Sequence, residues 1–415
     1  MVAIDTARPV SGSDRIAELD VLRGIALFGV LTMNFVYFAS DGQLATEAQI
    51  LALPTASLDW WAYNAVRLFI GDKANTVFAT LFGLGFYLQM KRGEGRSGFE
   101  QRYARRLFWL LMFGVFNTFF LWFGDILNLY AVAGFALLAM RRWRTRTLVI
   151  FGSIAALYSH DLQEWLFGLV NFHPIPDWLY SDTAVLERQS VAINGDYGAI
   201  VTLFAQWTWV EWIAGGMMVA WLVYAIGRFA LGAAIGRSGI LDDIPRFIPL
   251  LRKIAWVAIP AGLFVALAIR LVVDEIVLLP GDLETWQAIA QSLRSPAALL
   301  LAAGYCAGIV VALHQGWGKR LFGIFAPVGR MALTNYLAQG LIYAFVLFGV
   351  GPGLGLAGRI GSFYVLAICI AFFALQIVFS HWWLARYRFG PMEWIWRALT
   401  YGERPAMRRQ VPQPA

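Results

Sequence analysis

The chain has 415 residues, of which 59% are hydrophobic and 14% are charged, and its formal net charge is +7. Soluble domains carry about 25% charged residues, so this composition, with a mean hydropathy of +0.62, excludes an ordinary soluble protein and indicates an integral membrane protein. The 18 tryptophans and 15 tyrosines suit aromatic belts at two membrane interfaces.

Apolar stretches of about 20 residues, the length at which a helix crosses a bilayer, recur along the whole chain. We predict ten spans, at roughly residues 22–39, 66–90, 104–122, 126–140, 147–168, 207–232, 254–273, 296–314, 331–349 and 362–384. The predicted fold class is all-α, a polytopic transmembrane helix bundle. Its predicted organisation is a cytoplasmic tail over 1–20, one transmembrane helical domain over 21–385, and a cytoplasmic interfacial helix and tail over 386–415.

The connections between the predicted spans alternate in charge. Basic residues dominate 91–106, 141–146, 318–320 and the tail from Arg386, whereas acidic residues dominate the first, fifth and seventh connections. By the positive-inside rule both termini are cytoplasmic, which an even number of spans allows. The sequence therefore predicts a multi-pass protein of the cytoplasmic (inner) membrane. The fifth connection, about 169–200, could partly cover the outer face or be an ordinary loop.

The excess positive charge also bears on partners. The positive-inside orientation of the protein in the membrane explains this excess charge, and no basic run accompanies a soluble domain. We therefore expect no nucleic-acid partner. The expected partners are the lipid bilayer and a small-molecule substrate, and a homodimer is one arrangement that the sequence leaves open.

The first predicted span, DVLRGIALFGVLTMN, carries Asp20, Arg23 and Asn34. At about 100° per residue these side chains share one helix stripe, with Asn34 about 16 Å beyond Arg23. A charged residue at the membrane centre costs roughly 2.5 to 3.5 kcal/mol, so the stripe should face protein or water. It either lines a cavity or consists of an i, i+3 salt bridge and one interhelical hydrogen bond.

In the second span, Lys73 follows Asp72 within or just outside the apolar zone. An intramembrane lysine is a functional candidate by default, although it could also snorkel to the interface or pair with Asp72. Gly83 and Gly85 are expected to let helices approach closely rather than to bind phosphate, because no strand precedes them.

The third and fourth spans form a tight hairpin, FNTFFLWFGDILNLYAVAG, on the predicted outer side. Asp125 precedes a helical run, which favours a role as N-cap. Asn117 and Asn128 lie nearby, and Trp122 precedes the turn. In such a poorly solvated pocket the carboxylate could instead act as a general base or orient one.

The ninth span begins GRMALTNYLAQGLIY. Asn335 and Gln339 are i, i+4 neighbours, and Tyr336, Gln339 and Tyr343 share an adjacent stripe. These side chains either line a cavity or form a helix-packing ladder. Arg330, at the start of the span, joins the candidate binding residues.

After the tenth span, FGPMEWIWRALTYGE is typical of a short interfacial helix. Pro391 suits its first turn, Glu393 and Arg397 can pair at i, i+4, and Trp394 and Trp396 can anchor it at the interface.

Several catalytic devices are missing from the sequence. It has no Walker A loop, Rossmann fingerprint, HExxH or GxSxG motif. Cys306 and Cys369 lie in apolar runs and should be reduced thiols. None of the four histidines lies beside another at ligand spacing, so we expect no metal site and no tightly bound cofactor.

Three parts of the sequence are similar to the YeiB-like family of bacterial membrane proteins, the domain of unknown function 418. They are LDVLRGIALFGVLTMN (19–34), RRLFWLLMFGVFNTFFLWFGDILNLYAVAG (105–134), and GRMALTNYLAQ (329–339) with FGPMEWIWRALTY (389–401). Through the Leu-Asp-x-x-Arg-Gly motif the chain more distantly resembles heparan-alpha-glucosaminide N-acetyltransferases and related membrane acyltransferases. Those enzymes transfer an acyl group from cytoplasmic acyl-CoA to a sugar or similar acceptor on the far side.

One departure from this pattern concerns the hairpin. Where relatives have a histidine in the third span, this chain has Asn117. Asparagine does not titrate near neutral pH and cannot serve as an acid/base group. If that histidine is the family's acid/base or acyl-accepting group, the resemblance implies altered or lost activity here. His160 is an available outer-side substitute, which its spacing does not support.

The resemblance implies an acyltransferase-like protein with acyl-CoA as a possible co-substrate. Arg23 and the loops 91–106 and 141–146 would hold the donor phosphates, and Asp125 with Asn117 would position or deprotonate the acceptor. The candidate catalytic residues are Asp125 and Asn117, and the candidate donor-binding and passage residues are Asp20, Arg23, Asn34, Lys73, Asn128, Arg330, Asn335 and Gln339. The alternatives are a transporter or exporter of a small solute that uses the same stripes, and a membrane protein without enzymatic activity.

Overall fold

The computed structural model describes residues 16–40, 43–93, 98–159, 181–274 and 282–409. Within these ranges the chain is built from α-helices, short 3₁₀ turns and one π-helical segment, and its only extended pairing is the isolated bridge between Tyr387 and Arg408. The predicted all-α fold class is confirmed.

In the first half of the chain the helices are α1 (Ala17–Ser40), α2 (Glu47–Leu51), α3 (Ala56–Phe69), α4 (Gly71–Gly93), α5 (Phe99–Phe120), α6 (Leu127–Ala139), α7 (Thr145–Leu157), α8 (Asp182–Asn194) and α9 (Tyr197–Trp207). A π-helical segment, Thr208–Ala214, follows α9. The second half contains α10 (Met217–Arg237), α11 (Ile244–Val273), α12 (Leu283–Ser292), α13 (Arg294–Leu313), α14 (Gly316–Phe322), α15 (Ala326–Arg330), α16 (Ala332–Leu347), α17 (Ser362–Arg386) and α18 (Pro391–Tyr401).

Each of the ten predicted spans overlaps a helix. Within the described residues, five helical stretches are long and apolar enough to cross a membrane: Ala17–Ala39, Met217–Arg237, Ile244–Val273, Leu283–Leu313 and Ser362–Arg386. Two further apolar helices, α7 and α16, are shorter. The chain is thus a membrane protein. Some of the ten predicted spans correspond to shorter helices, such as α7 and α16.

Two predicted spans are interrupted. The second span divides between α3 and α4, and the sixth begins in the π-helical segment and breaks before α10. At the second break Gly216 has a φ of 66°, a left-handed conformation that glycine adopts without steric cost. Interrupted helices leave backbone N–H and C=O groups unpaired, so other parts of the bundle must supply partners for them.

The core is organised around α1. Within its most apolar window 72% of the residues are buried, against 22% for the corresponding window of α11. Leu27, Leu31 and Phe35 of α1 are fully buried in the main hydrophobic cluster. α1 therefore runs through the middle of the bundle, whereas α11 presents most of its surface outward.

Two glycines bring α1 into backbone contact with α15. A Cβ atom on Gly24 would overlap the carbonyl oxygen of Phe325, and one on Gly329 would overlap the carbonyl oxygen of Asp20. Because Arg23 and Arg330 are the chain neighbours of these glycines, the close approach also brings the two arginines to the same end of the bundle.

The two glycines of α4 differ in their surroundings. A Cβ on Gly83 would overlap the backbone of Phe229 in α10, which confirms the predicted close approach at that position. Gly85 has open space where its Cβ would lie, and it faces a cavity instead. The same prediction is wrong for Gly85.

We expect Gly329→Ala to destabilise the protein and Gly85→Ala not to. The added methyl group at position 329 meets backbone atoms that cannot rotate away, and overpacking of this kind costs about 1 to 3 kcal/mol. At position 85 alanine has room and favours the helix by about 0.5 to 1 kcal/mol. Apparent melting temperatures of the two variants in detergent provide the comparison, and equal melting temperatures would contradict the α1–α15 contact.

Candidate functional site

A cavity of about 260 Å³ opens at the end of the bundle where α1 begins. Four arginines from four different helices contribute to its wall: Arg23 of α1, Arg106 of α5, Arg330 of α15 and Arg397 of α18. We call this cavity the arginine pocket. It unites two of the predicted binding residues, Arg23 and Arg330, with Arg106 from the predicted basic loop 91–106 and with Arg397, which the sequence predicted to pair with Glu393.

The deep part of the arginine pocket is apolar and aromatic. Phe78 and Phe82 of α4, Leu127 and Tyr130 of α6, and Tyr336 of α16 line it. The cavity is therefore amphipathic, with cationic side chains in its wall and an aromatic floor inside the bundle.

The four arginines are held in different ways. Arg23 pairs with Asp20 at 2.9 Å, so the predicted i, i+3 salt bridge forms and leaves 28% of the arginine side chain exposed. The guanidinium carbon of Arg106 lies 3.9 Å from the ring centroid of Trp396, a cation–π contact. Among the described residues no carboxylate forms an ion pair with Arg106. A half-buried guanidinium without an acidic partner is suited to binding an anion from outside the protein.

Helix α18 is attached to α16 by Glu393. One carboxylate oxygen accepts hydrogen bonds from the backbone N–H groups of Leu333 (2.7 Å) and Thr334 (3.1 Å), and the other accepts the Thr334 hydroxyl (2.6 Å). This satisfies orphan donors at the N-terminus of α16 and places negative charge at the positive end of its dipole. The sequence predicted an ion pair with Arg397, whereas the structure gives both carboxylate oxygens to α16.

Burial raises the pKa of Glu393 above its ordinary value of 4.5, and the hydrogen bonds from Thr334 and Leu333 oppose that rise. The tryptophans of α18, which the sequence predicted as interface anchors, also make hydrogen bonds within the protein. The indole of Trp396 donates to the Arg106 carbonyl at 2.8 Å, and that of Trp394 donates to the Pro405 carbonyl at 2.7 Å. Both indoles thus bind α18 to the protein.

Asp125 caps α6. One carboxylate oxygen accepts the backbone N–H groups of Leu127 (2.9 Å) and Asn128 (3.1 Å), and the other accepts the Asn117 amide at 2.8 Å. The next residue, Ile126, donates its backbone N–H to the Tyr336 hydroxyl at 3.2 Å. The predicted cap role is therefore the one that the geometry supports. With three donors from the protein on it, the carboxylate has little capacity left to accept a substrate proton.

The hairpin turn, which the sequence predicted on the outer side in a poorly solvated pocket, is enclosed by protein. α6 has 13 residues, a length of about 20 Å, which is shorter than the roughly 30 Å hydrocarbon core. Asp125 and Asn117 are each 1% exposed. Helix α9 covers the turn, since Phe123 stacks on Trp207 at 4.2 Å. The start of α9 and all of α8 belong to the predicted covering segment, 169–200. Residues 169–180 of that segment, and His160 before it, lie outside the described ranges.

The polar side chains of α16 form a ladder between helices. Asn335 donates to the Ser380 hydroxyl at 3.0 Å, and Gln339 donates to the Gln376 side chain at 3.2 Å. Gln376 in turn donates to the Asn335 carbonyl at 2.8 Å. These bonds join α16 to α17, so the packing alternative describes Asn335 and Gln339 better than a lined cavity does.

The remaining predicted residues are distributed over separate places. Asn34 is buried on α1, one turn beyond Leu31, whose carbonyl accepts the Tyr343 hydroxyl of α16 at 3.1 Å. Asn128 donates to Thr118 across the hairpin at 2.9 Å. Lys73 lies in another cavity, towards the opposite end of α1. Within the part of the chain that the structure describes, these side chains do not line one continuous cavity.

The loop 141–146 also lies away from the arginine pocket. Arg141 pairs with Glu100 at 2.6 Å, beside a second cavity of about 860 Å³. Of the two predicted basic loops, 91–106 contributes to the arginine pocket through Tyr103 and Arg106.

With this geometry in hand, comparison with known proteins is informative. Residues 235–403 match the family described as "Protein of unknown function (DUF418)". The whole chain is 30% identical over 417 residues to "Uncharacterized protein YxaH" of Bacillus subtilis (strain 168), covering 96% of this chain and 97% of that protein. The chain belongs to the DUF418 family. It is also 29% identical over 394 residues to "Uncharacterized protein YeiB" of Escherichia coli (strain K12), covering 93% and 96%. No solved structure gives a significant match.

The predicted YeiB-like family is thereby confirmed. The matched DUF418 segment supplies Arg330, Glu393 and Arg397, whereas Arg23 and Arg106 come from the part of the chain before it. The arginine pocket of this DUF418 protein is therefore assembled from both halves of the sequence.

Sequence reasoning missed Arg228, a fully buried arginine in α10. Its Nε donates to the Thr76 hydroxyl at 2.9 Å, and one terminal nitrogen lies 3.3 Å from the carbonyl oxygens of Ala156 and Tyr224. The signal was present in VYAIGRFALG, where a single arginine interrupts the sixth predicted span. Its contacts join α10 to α4 and α7, which is a packing role. Hydrogen bonds to the carbonyl oxygens offset part of the cost of burying the guanidinium charge in an apolar interior.

We expect Asp125→Asn to destabilise this DUF418 protein by about 1 to 3 kcal/mol, because an amide N–H₂ would face donors in a buried site. Asp196→Asn is the matched control. Asp196 caps α9 at the surface, where its side chain accepts the Ala199 N–H at 2.8 Å, and asparagine caps helices about as well as aspartate. Melting temperatures of the purified variants test this, and equal shifts would show that Asp125 is not a buried cap.

The raised pKa of Glu393 predicts a pH-dependent contribution to stability. The folded state takes up a proton more readily than the unfolded state, so stability should increase as the pH falls from neutral towards about 5. Glu393→Gln removes this titration. The melting temperature of wild type, relative to that of Glu393→Gln, should therefore rise as the pH falls. A pH-independent difference would argue against a raised pKa at Glu393.

Proposed function

We propose that this DUF418 protein is an acyltransferase-like protein of the cytoplasmic membrane that takes an acyl-CoA donor into the arginine pocket. The observation that carries the proposal is the convergence of Arg23, Arg106, Arg330 and Arg397 above an aromatic floor. Planar guanidinium groups bind phosphates through paired hydrogen bonds. Coenzyme A combines phosphates at one end with a long flexible arm and a thioester at the other, which matches an amphipathic cavity.

The predicted orientation supports the same proposal. The positive-inside rule assigns the end of the bundle with Arg23 to the cytoplasm, where soluble acyl-CoA is present. The cavity volume of about 260 Å³ is below the roughly 300 to 1,000 Å³ of pockets that enclose drug-sized ligands. We therefore place the phosphates at the arginines and the arm in the cavity, with the nucleoside remaining in the open mouth.

The deep end of the cavity would receive the thioester. Tyr336 lines that end, and its hydroxyl accepts the backbone N–H of Ile126, the residue after Asp125, at 3.2 Å. Since Asn117 and two backbone N–H groups hold Asp125 in this turn, we assign Asp125 and Asn117 to positioning the turn that contacts Tyr336 rather than to proton abstraction. In the transfer the thioester C–S bond breaks, a bond forms between the acyl carbon and an acceptor oxygen or nitrogen, and the acceptor's proton passes to the departing CoA thiolate.

A transporter receives less support from the geometry. It needs a continuous polar route, which the sequence predicted along Asn34, Lys73, Asn335 and Gln339. Asn335 and Gln339 are instead bonded between helices, and Lys73 lies in a cavity of its own.

Binding of acetyl-CoA to the protein in nanodiscs, measured by calorimetric titration, tests the donor site. Arg106→Gln should weaken binding about tenfold or more, because a charge-assisted hydrogen bond contributes about 1.5 to 3 kcal/mol. Arg105→Gln is the matched control. Arg105 is the adjacent residue of α5, is exposed, and does not line the pocket.

Three outcomes would contradict the proposal. Absence of binding by acetyl-CoA and by free CoA removes the donor site. Equal weakening by Arg105→Gln and Arg106→Gln shows that the charge of the surface, not the pocket, attracts the ligand. Binding without release of CoA thiol in proteoliposomes, across sugar and amine acceptors, contradicts the transfer step.

A further inference from the structure

A second group of basic side chains lies towards the opposite end of α1, in a cavity of about 90 Å³. We call it the distal cationic pocket. Arg67 of α3, Lys73 of α4, Arg270 of α11 and Arg294 of α13 contribute to it, together with Tyr37 and Asp72. Arg23 and Tyr37 are 14 positions apart on α1, about 21 Å along the helix, so this cavity is separate from the arginine pocket.

Positive charge exceeds negative charge in the distal cationic pocket. Its lining contains four basic residues and one acidic residue, Asp72. A second carboxylate, Asp274, forms an ion pair with Arg270 at the rim. Among the residues that the structure describes, four cations and two anions leave an excess of two positive charges beside an apolar part of the bundle. Such an excess is costly to hold near a membrane unless an anion joins it.

Several N–H groups at this cavity are not used by the protein. Lys73 is 8% exposed, and its ammonium group has three N–H donors, of which one bonds to the Arg67 carbonyl at 2.9 Å. One terminal nitrogen of Arg270 is buried without a hydrogen-bond partner among the described residues. Unpaired buried donors around a cavity are the expected feature of a site whose acceptor is a ligand.

The size and surroundings of the cavity restrict that ligand. A volume of about 90 Å³ corresponds to about three water molecules at roughly 30 Å³ each, the size range of one tetrahedral oxyanion. The apolar side is formed by α11, whose Phe264 and Leu267 are exposed on the outward surface of the bundle. A lipid headgroup can therefore reach the cavity from the bilayer, and a free anion can reach it from water.

We propose that the distal cationic pocket binds a dianionic phosphate group, supplied either as free inorganic phosphate or as the phosphate-monoester headgroup of a lipid. A phosphate monoester carries about −1.5 to −2 charges at neutral pH, which matches the excess of two positive charges. A phosphodiester headgroup carries one charge and leaves part of the excess uncompensated. The site thus distinguishes phosphatidic acid from phosphatidylglycerol.

Native mass spectrometry of the full chain in detergent with added phosphatidic acid or phosphatidylglycerol of the same chain length tests the lipid source. Phosphatidic acid should be retained at about tenfold lower concentration, a difference of about 1.4 kcal/mol. Titration with inorganic phosphate, followed by melting temperature and by displacement of phosphatidic acid, tests the free anion. Chloride at the same ionic strength controls for general salt effects.

The variants Arg294→Gln and Arg270→Gln should each weaken retention about tenfold. Arg294 is exposed at the rim, so its variant should fold even if loss of the Arg270–Asp274 pair destabilises the other. Arg252→Gln, at the opposite end of α11, is the matched control and should retain wild-type binding. Arg106→Gln should also retain it, which separates this site from the proposed donor site.

The outcomes decide the proposal. Preference for phosphatidic acid that both pocket variants reduce supports the lipid source, and stabilisation by phosphate with displacement of the lipid supports the free anion. Equal retention of the two lipids together with no response to phosphate overturns it. Unchanged binding in both Arg294→Gln and Arg270→Gln overturns it as well.

Discussion

Satisfaction of helix N-termini inside the bundle is the constraint on which this structure depends. Helices α6, α16 and α17 begin among other helices, where water does not pair their first N–H groups. A carboxylate serves each: Asp125 at α6, Glu393 at α16, and Asp59, whose oxygen accepts the Phe363 N–H of α17 at 2.8 Å. Asp125 and Asp59 are nearly fully buried. The carboxylates that look most like catalytic groups therefore act first as parts of the backbone hydrogen-bond system.

The same interactions build the arginine pocket. Glu393 holds α18 against α16, which places Arg397 in the wall and brings Trp396 beneath the guanidinium of Arg106. Contact through Gly24 and Gly329 brings the remaining two arginines together from α1 and α15. The cavity is thus a consequence of how short and interrupted helices are joined, and its cations come from elements that are distant in the sequence.

How much of the structure could be predicted from the sequence depends on the distance along the chain over which each rule applies. Hydrophobic stretches and the cap rule are local, and they correctly predicted a helix within each of the ten spans and the cap role of Asp125, but not the breaks in the second and sixth spans. The i, i+4 rule offered Glu393 a neighbour on its own helix, but its main partners lie about 60 positions away, a pairing that periodicity does not encode. Gly83 and Gly85 show the same limit, because two glycines in one motif face a helix backbone and an open cavity. Spacing determines which residues share a face, not what that face meets.

The arrangement also bears on movement across the membrane. Two cavities lined by basic side chains lie at opposite ends of α1, and the interval between them is filled by Leu27, Leu31 and the hydrogen bonds of α16. The Tyr343 hydroxyl donates to the Leu31 carbonyl at 3.1 Å, and Gln339 bonds to Gln376. Separation of α16 from α1 or α17 would break these buried bonds together. Because each break would leave a polar group in an apolar interior at a cost of about 1 to 3 kcal/mol, the bonds oppose the opening of a polar route along this interval.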